Sequence, residues 1–184
     1  MDRVLRRALA DSDLRPLPSA ASELLLRLSA PPRLAAHLRA VHDVAVQLTD
    51  WFSGRLPLDV DAVHFGAATH DIGKVVHVEE LSAPGHRHEP AGRDLLLAQG
   101  IPPELARFAA THASWAEPGI TAEDLVVSLA DKIWKAKRVP DLEQLIVARL
   151  DGEPWQAFLE LDDELDRIAA AADHRLAFQA SYPI

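Results

Sequence analysis

Along residues 32–52, Leu34, Val41, Val44, Leu48, Trp51 and Phe52 recur at steps of three, four or seven residues. This spacing gathers apolar side chains on one face of an α-helix. No segment shows the apolar–polar alternation of a half-buried strand. Leu and Ala dominate and aromatics are only 5%, a mix that favours helices. The expected fold class is therefore all-α. Prolines and glycines mark the joints, so helices are predicted at 19–29 with Ser19 as cap, at 32–52, and at about 59–70, 89–99 and 102–112. Further helices are predicted from a Thr121/Asp124 capping box to about 137, at about 141–150, and at about 154–178. Residues 71–88, with Gly73, Pro84 and Gly85, read as irregular. A chain of 184 residues is long enough to bury a real core, and the domain reading is one helical unit, 1–184.

The formal net charge is −9, which argues against nucleic acid as a partner, because that binding rests on neutralising phosphates. The chain holds no cysteine, which excludes disulfides and thiolate metal sites. A metal here would need His and carboxylate ligands. The N-terminal stretch has no long apolar run, so neither a signal peptide nor a membrane span is expected, and the reading is a cytoplasmic protein.

Nine histidines are many for this length, and their placement carries information. In His64-Phe65-Gly66-Ala67-Ala68-Thr69-His70-Asp71-Ile72-Gly73-Lys74, the residues Val63, Gly66 and Ala67 share a helix face with His70. Small residues there permit close packing and exclusion of water. Adjacent His and Asp bind one metal only if the backbone leaves the helix at that point, and Ile72-Gly73 supplies such an exit. Taken alone, the pair also describes a helix end, with a capping His and an Asp accepting turn hydrogen bonds.

The string His70-Asp71-Ile72-Gly73-Lys74 resembles the signature of HD-domain phosphohydrolases. The resemblance covers roughly 33–138 and leaves 1–30 and 140–184 as helical extensions, expected to cover the pocket or to build a homo-oligomer. It implies an all-helical fold and an ordered ligand set: an upstream His, the His-Asp pair and a distant Asp, often with two intervening His for a second metal. The upstream His is His37 or His42. His37 is preferred, because Val41, Ala45 and Leu48 follow it at the family's apolar spacing. His42 is then expected to line the pocket and touch substrate. The intervening positions are His88, which opens His-Glu-Pro-Ala-Gly ending at Gly92, with His86 as a competitor, and His112, on the stripe of Leu105 and Phe108. The closing ligand is Asp131, expected to point inward with Val127 and Trp134. A buried carboxylate or imidazole needs a partner, and a metal would supply one.

His and carboxylate donors suit Mn, Fe, Co, Ni or Zn, with Mg also admitted, as one or two ions. The implied reaction is hydrolysis of a phosphoester, a monoester or a nucleotide, by a hydroxide held on the metal. His70, Asp71 and Lys74 form the expected catalytic set. Lys74 would offset phosphate charge, and Lys135, in the basic cluster Lys132, Lys135, Lys137 and Arg138, would help to bind or steer the substrate. Trp115 reads either as a base-stacking or as a packing residue. Two alternatives stand beside this reading: a di-iron enzyme that activates oxygen, and a nucleotide- or phosphate-binding sensor without catalysis. No Gly-Tyr-Pro follows His112, which argues against the cyclic-dinucleotide phosphodiesterase subgroup.

Overall fold

The computed structural model describes residues 2–184. Met1, the first residue of the expected N-terminal extension, lies outside them. The described residues contain helices and no strand, as the apolar spacing predicts. In order the helices are α1 (Asp2–Ala10), α2 (Ser19–Arg27), α3 (Pro32–Phe52), α4 (Val60–Thr69), α5 (His88–Ala98), α6 (Pro103–Ala106), α7 (Phe108–Thr111), α8 (Ala122–Ile133), α9 (Pro140–Val147), α10 (Pro154–Ala169) and α11 (Ala172–Ala180). Among the described residues no helix is long and apolar enough to cross a membrane.

Helix α3 is the axis of the molecule. Every residue from Leu34 to Ala45 is buried. Its first half joins Leu24 and Leu25 of α2, Ala8 of α1 and Phe178 of α11 in one apolar cluster. Its second half, from Ala40 to Phe52, joins α8, α9 and α10 in another. The two clusters divide α4 and α7 between neighbouring residues: Ala67 and Phe108 belong to one, Ala68 and Ala109 to the other. His70 and His112 follow the ends of these shared helices, at the seam between the two apolar clusters.

Several local expectations are corrected. Ser19 lies inside α2, and Pro18 takes the cap position. Residues 71–88 are not wholly irregular but contain two 3-10 turns, Ile72–Val75 and Val78–Leu81. The helix expected over 102–112 is divided at Arg107 into α6 and α7. Helix α8 opens with the Thr121/Asp124 capping box as predicted but stops at Ile133. There Ala136 adopts a left-handed conformation (φ 58°) and the Lys137 N–H reaches back to the Lys132 carbonyl at 3.2 Å, the closure that ends a helix without leaving its last carbonyls bare. The basic cluster is thereby split between a helix end and a turn. The expected helix over 154–178 is two helices. The buried Arg175 donates to the Ile168 carbonyl (2.6 Å) and the Trp134 carbonyl (2.8 Å), so it caps α10 and ties α11 to the end of α8. Arg39 does the same at the end of α1. It is fully buried and donates to carbonyls of Ala8 (2.8 Å), Asp11 (2.6 Å) and Leu14, binding the end of α1 to α3.

Candidate metal centre

The backbone leaves α4 at His70 and enters a 3-10 turn at Ile72, which allows two adjacent side chains to face one place. Glycines make the rest of the approach. A side chain on Gly73 would run into the His88 carbonyl and lie 2.6 Å from the Gly92 nitrogen. The turn after Asp71 and the first turn of α5 therefore touch backbone to backbone, and that contact carries His88 to Asp71. Gly66 similarly admits the Phe108 ring, which would lie 2.6 Å from an added Cβ, and so draws α7 and His112 toward α4.

The outcome is a buried cluster. His37, His70 and Asp131 offer ligand atoms within 4.8 Å of one another, and so do Asp71, His88 and His112. Asp71 links the two groups. Its Oδ2 lies 3.0 Å from His37 Nε2 and 3.7 Å from His70 Nε2. Its Oδ1 lies 3.0 Å from His88 Nε2 and 3.6 Å from His112 Nε2. Asp131 Oδ1 stands 3.4 Å from His70 Nε2 and 4.0 Å from His37 Nε2. With metal–ligand bonds of about 2.0–2.2 Å, donor atoms on one ion sit about 3–4 Å apart, which is the spacing found.

The far side of each ring fixes which nitrogen faces the cluster. Nδ1 of His70 meets the Ala67 carbonyl at 3.0 Å, and Nδ1 of His112 meets the Ala109 carbonyl at 3.1 Å. A carbonyl only accepts, so in both rings Nδ1 is the N–H and Nε2 keeps its lone pair. Nδ1 of His88 meets the Glu80 carboxylate at 2.6 Å, with the same consequence. The Nε2 atoms of His37, His70 and His88 are buried and make no hydrogen bond of acceptable geometry, although two of them come within 3.0 Å of Asp71. Buried lone pairs without donors are costly, and a cation bound between them removes that cost. On this test the donor set fits one or two divalent ions.

Electrostatics prepare the same state at four of these residues, whereas the pKa of His88 is raised, its burial being outweighed by Asp71 and Glu80. Burial lowers the pKa of His37, more than Asp71 raises it. His112 is pushed down to about 4 by burial and by His70. Burial opposes ionisation of Asp71, but His70, His37, His88 and Lys74 outweigh it and hold the carboxyl well below its usual range. Asp131 is held low in the same way, burial being overcome by His70 and Lys132. Two ammonium groups stand on these carboxylates: Lys74 Nζ is 2.5 Å from Asp71 Oδ2, and Lys132 Nζ is 2.5 Å from Asp131 Oδ2.

The family model of the HD domain matches residues 34–177. This chain belongs to the HD-domain family. No curated protein and no solved structure matches it. HD domains bind divalent metals and are generally metal-dependent phosphohydrolases. The match runs past the expected limit at 138, through α9 and α10 into α11.

The structure brings His37, His70, Asp71, His88, His112, Asp131 and Lys74 together and sets other candidates apart. His86 is exposed and pairs with Glu89 at 2.8 Å. Lys135 is exposed on the outer side of Trp134, its Nζ 5.7 Å from the indole centroid, while that ring packs on His37 at 4.9 Å. Lys132, one turn earlier, is the cation of the basic cluster that reaches the centre. Two site features went unread in the sequence: Lys132 as an individual contact, and Glu80, which lies eight residues before His88 in a segment without motif or periodicity.

His42 packs against His64 (ring centroids 5.4 Å apart) and is in neither ligand group. Its Nδ1 is buried without a partner, and burial together with His64 pushes its pKa down to about 4. Between pH 6.5 and 4 the unfolded chain therefore takes up a proton at this residue that the native chain refuses, so the native state loses stability as pH falls. Across that window the expected loss through His42 is roughly 3 kcal/mol. Urea midpoints measured from pH 7 to pH 4 should fall less steeply in His42→Leu than in the wild type. An unchanged slope would mean that His42 is protonated in the native chain.

Proposed function

We propose that this HD-domain protein hydrolyses a small phosphorylated substrate, a phosphomonoester or a nucleotide, with one or two divalent metal ions held by His37, His70, Asp71, His88, His112 and Asp131. The observation that carries the reading is the pairing of two buried His/Asp triads with two ammonium groups at their edge. When bound, a divalent ion supplies Lewis acidity toward a phosphoryl oxygen and acidifies water.

The chain's own residues supply the rest. The Nδ1 hydrogen bonds to Ala67, Ala109 and Glu80 hold three imidazoles with Nε2 inward before any substrate arrives. The apolar walls on either side of α3 exclude bulk water, which strengthens each charge interaction inside. Lys74 and Lys132 each have one carboxylate neighbour within 2.5 Å and remain ammonium donors able to turn to a phosphoryl oxygen. From their places at Asp71 and Asp131 these two ammonium groups would offset the charge of a phosphoryl group bound at the cluster. Lys135, one layer out, would contribute to long-range attraction, and so would act mainly at low salt. The reading includes a cytoplasmic location, as expected from the sequence.

The test is a panel of phosphomonoesters, phosphodiesters and nucleotides, assayed with Mn, Fe, Co, Ni, Zn and Mg, on the wild type, Lys74→Met and Lys132→Met. Turnover of at least one phosphoester is expected in the wild type. A charge-assisted hydrogen bond is worth about 1.5–3 kcal/mol, so each variant should lose about 10- to 100-fold in kcat/KM while keeping its bound metal. Lys135→Ala should lose only a few-fold, and only at low ionic strength. No hydrolysis of any ester by metal-loaded protein would overturn the assignment. The second reading, a di-iron centre that activates oxygen, is favoured by the doubled ligand set alone, and two irons per chain with oxygen consumption and no phosphoesterase turnover would select it.

A further inference from the structure

His88 differs from the other ligand candidates in where it sits on its helix. His70 and His112 follow the ends of α4 and α7, so the carbonyls three residues back, those of Ala67 and Ala109, accept from Nδ1. His88 is the first residue of α5 and has no preceding helical turn behind it. Its Nδ1 needs an acceptor from elsewhere, and the neighbouring backbone N–H groups at that helix start also lack intrahelical partners.

One side chain meets both needs. Glu80 Oε2 accepts from His88 Nδ1 at 2.6 Å and from the His88 backbone N–H at 3.1 Å, and Glu80 Oε1 accepts from the Arg87 backbone N–H at 3.2 Å. The Glu80 side chain is 5% exposed and reaches this place from the 3-10 turn Val78–Leu81. The loop between is shaped around it: a Cβ on Gly85 would collide with the carboxylate, coming 2.7 Å from Glu80 Cγ.

We propose that Glu80 is a positioning residue for the Asp71/His88/His112 half of the metal centre, holding His88 with Nε2 toward Asp71 and adding negative charge behind that imidazole. A carboxylate behind a ligand imidazole fixes its tautomer and makes it a stronger donor. In the other half His70 is backed instead by the neutral Ala67 carbonyl. The two halves are thus unequal, and Glu80 acts on one of them. The inference rests on the metal-binding reading above.

The experiment is a cobalt(II) titration of the full chain, followed by calorimetry and by the d–d absorption of the bound ion, with melting temperatures recorded in parallel. The wild type should bind two ions per chain. Glu80→Gln keeps the shape but removes the charge and one acceptor, and should bind one ion as the wild type does while the other weakens by about 10- to 100-fold. Gly85→Ala, which displaces the carboxylate without altering it, should reproduce that selective loss. If Glu80→Gln and Gly85→Ala bind both ions as the wild type does, or weaken both equally, Glu80 supports only the loop and the proposal is wrong. If the wild type binds a single ion that Glu80→Gln leaves untouched, the proposal is also wrong. A wild type that binds no ion would remove the metal reading itself, which separates that failure from this one.

Discussion

Protein carrying Asp71→Ala is expected to lose its bound transition metal and to fall by about 10³-fold or more in any metal-dependent phosphoesterase turnover, while keeping its helical fold. The carboxylate faces both triads, Oδ2 toward His37 and His70 and Oδ1 toward His88 and His112. Removing it takes a ligand from each half at once. Metal-assisted charge stabilisation is worth several kcal/mol, and each 1.36 kcal/mol is a factor of ten in rate, which sets the size of the loss.

The fold should survive because Asp71 makes no hydrogen bond that ends a helix through its side chain, and the apolar clusters on either side of α3 do not include it. What remains in the variant is Lys74 without its carboxylate, 18% exposed at the side chain and so able to reach water. Elemental analysis of wild type and Asp71→Ala side by side, with circular dichroism on both, makes the measurement. One or two transition-metal ions per wild-type chain and none in the variant is the expected result. Equal metal content in the two would detach Asp71 from the centre.

How much of this was legible in advance depends on what each residue's neighbours are. The bounds of α3 follow from the sequence to the residue, because Pro32 opens it and the apolar spacing runs unbroken to Phe52. The preference for His37 over His42 rested on the family's apolar spacing and not on a ligand face, and α3 shows why. A helix buried all round from Leu34 to Ala45 has no polar face against which a ligand face can be read. Only the packing of His37 on Asp71 and of His42 on His64 separates them. Arg39 and Arg175 were invisible for a related reason: each satisfies carbonyls at a distant helix end, and nothing local distinguishes such an arginine from a solvated one. Glu80 sits next to Glu79 in the chain and both meet Arg87, yet Glu79 stays on the exposed Arg87 side chain while Glu80, 3.6 Å from Arg87 Nε, turns its other oxygen inward to His88. That division is made by the loop's tertiary position, not by residue type.

Gly73→Ala is expected to cost more than any other single methyl added at the glycines of this chain, about 3 kcal/mol or more. Its Cβ would meet backbone, the His88 carbonyl and the Gly92 nitrogen, and neither can rotate away. At Gly66 the obstacle is the Phe108 ring, a side chain with some room to tilt, so Gly66→Ala should cost less. At Gly100 the space is open and the difficulty is a left-handed backbone (φ 78°), where a Cβ costs about 1 kcal/mol. For a chain of this size 1 kcal/mol moves the melting temperature by about 2–4 °C, so Gly73→Ala should melt roughly 6–12 °C below the wild type and Gly100→Ala only a few degrees below. The two should also differ in metal content. Relief of the clash requires α5 to move away from the Ile72–Val75 turn, and His88 is one of the two α5 residues in that contact, so Gly73→Ala should bind its second ion weakly even at temperatures where it is fully folded. Gly100→Ala, just beyond the far end of the same helix, should bind as the wild type does. Differential scanning calorimetry with metal titration at 10 °C measures both. A Gly73→Ala protein with wild-type melting and wild-type metal would mean that α5 and the motif turn are not in backbone contact, and that the glycine of the signature serves the turn itself and not the approach of His88.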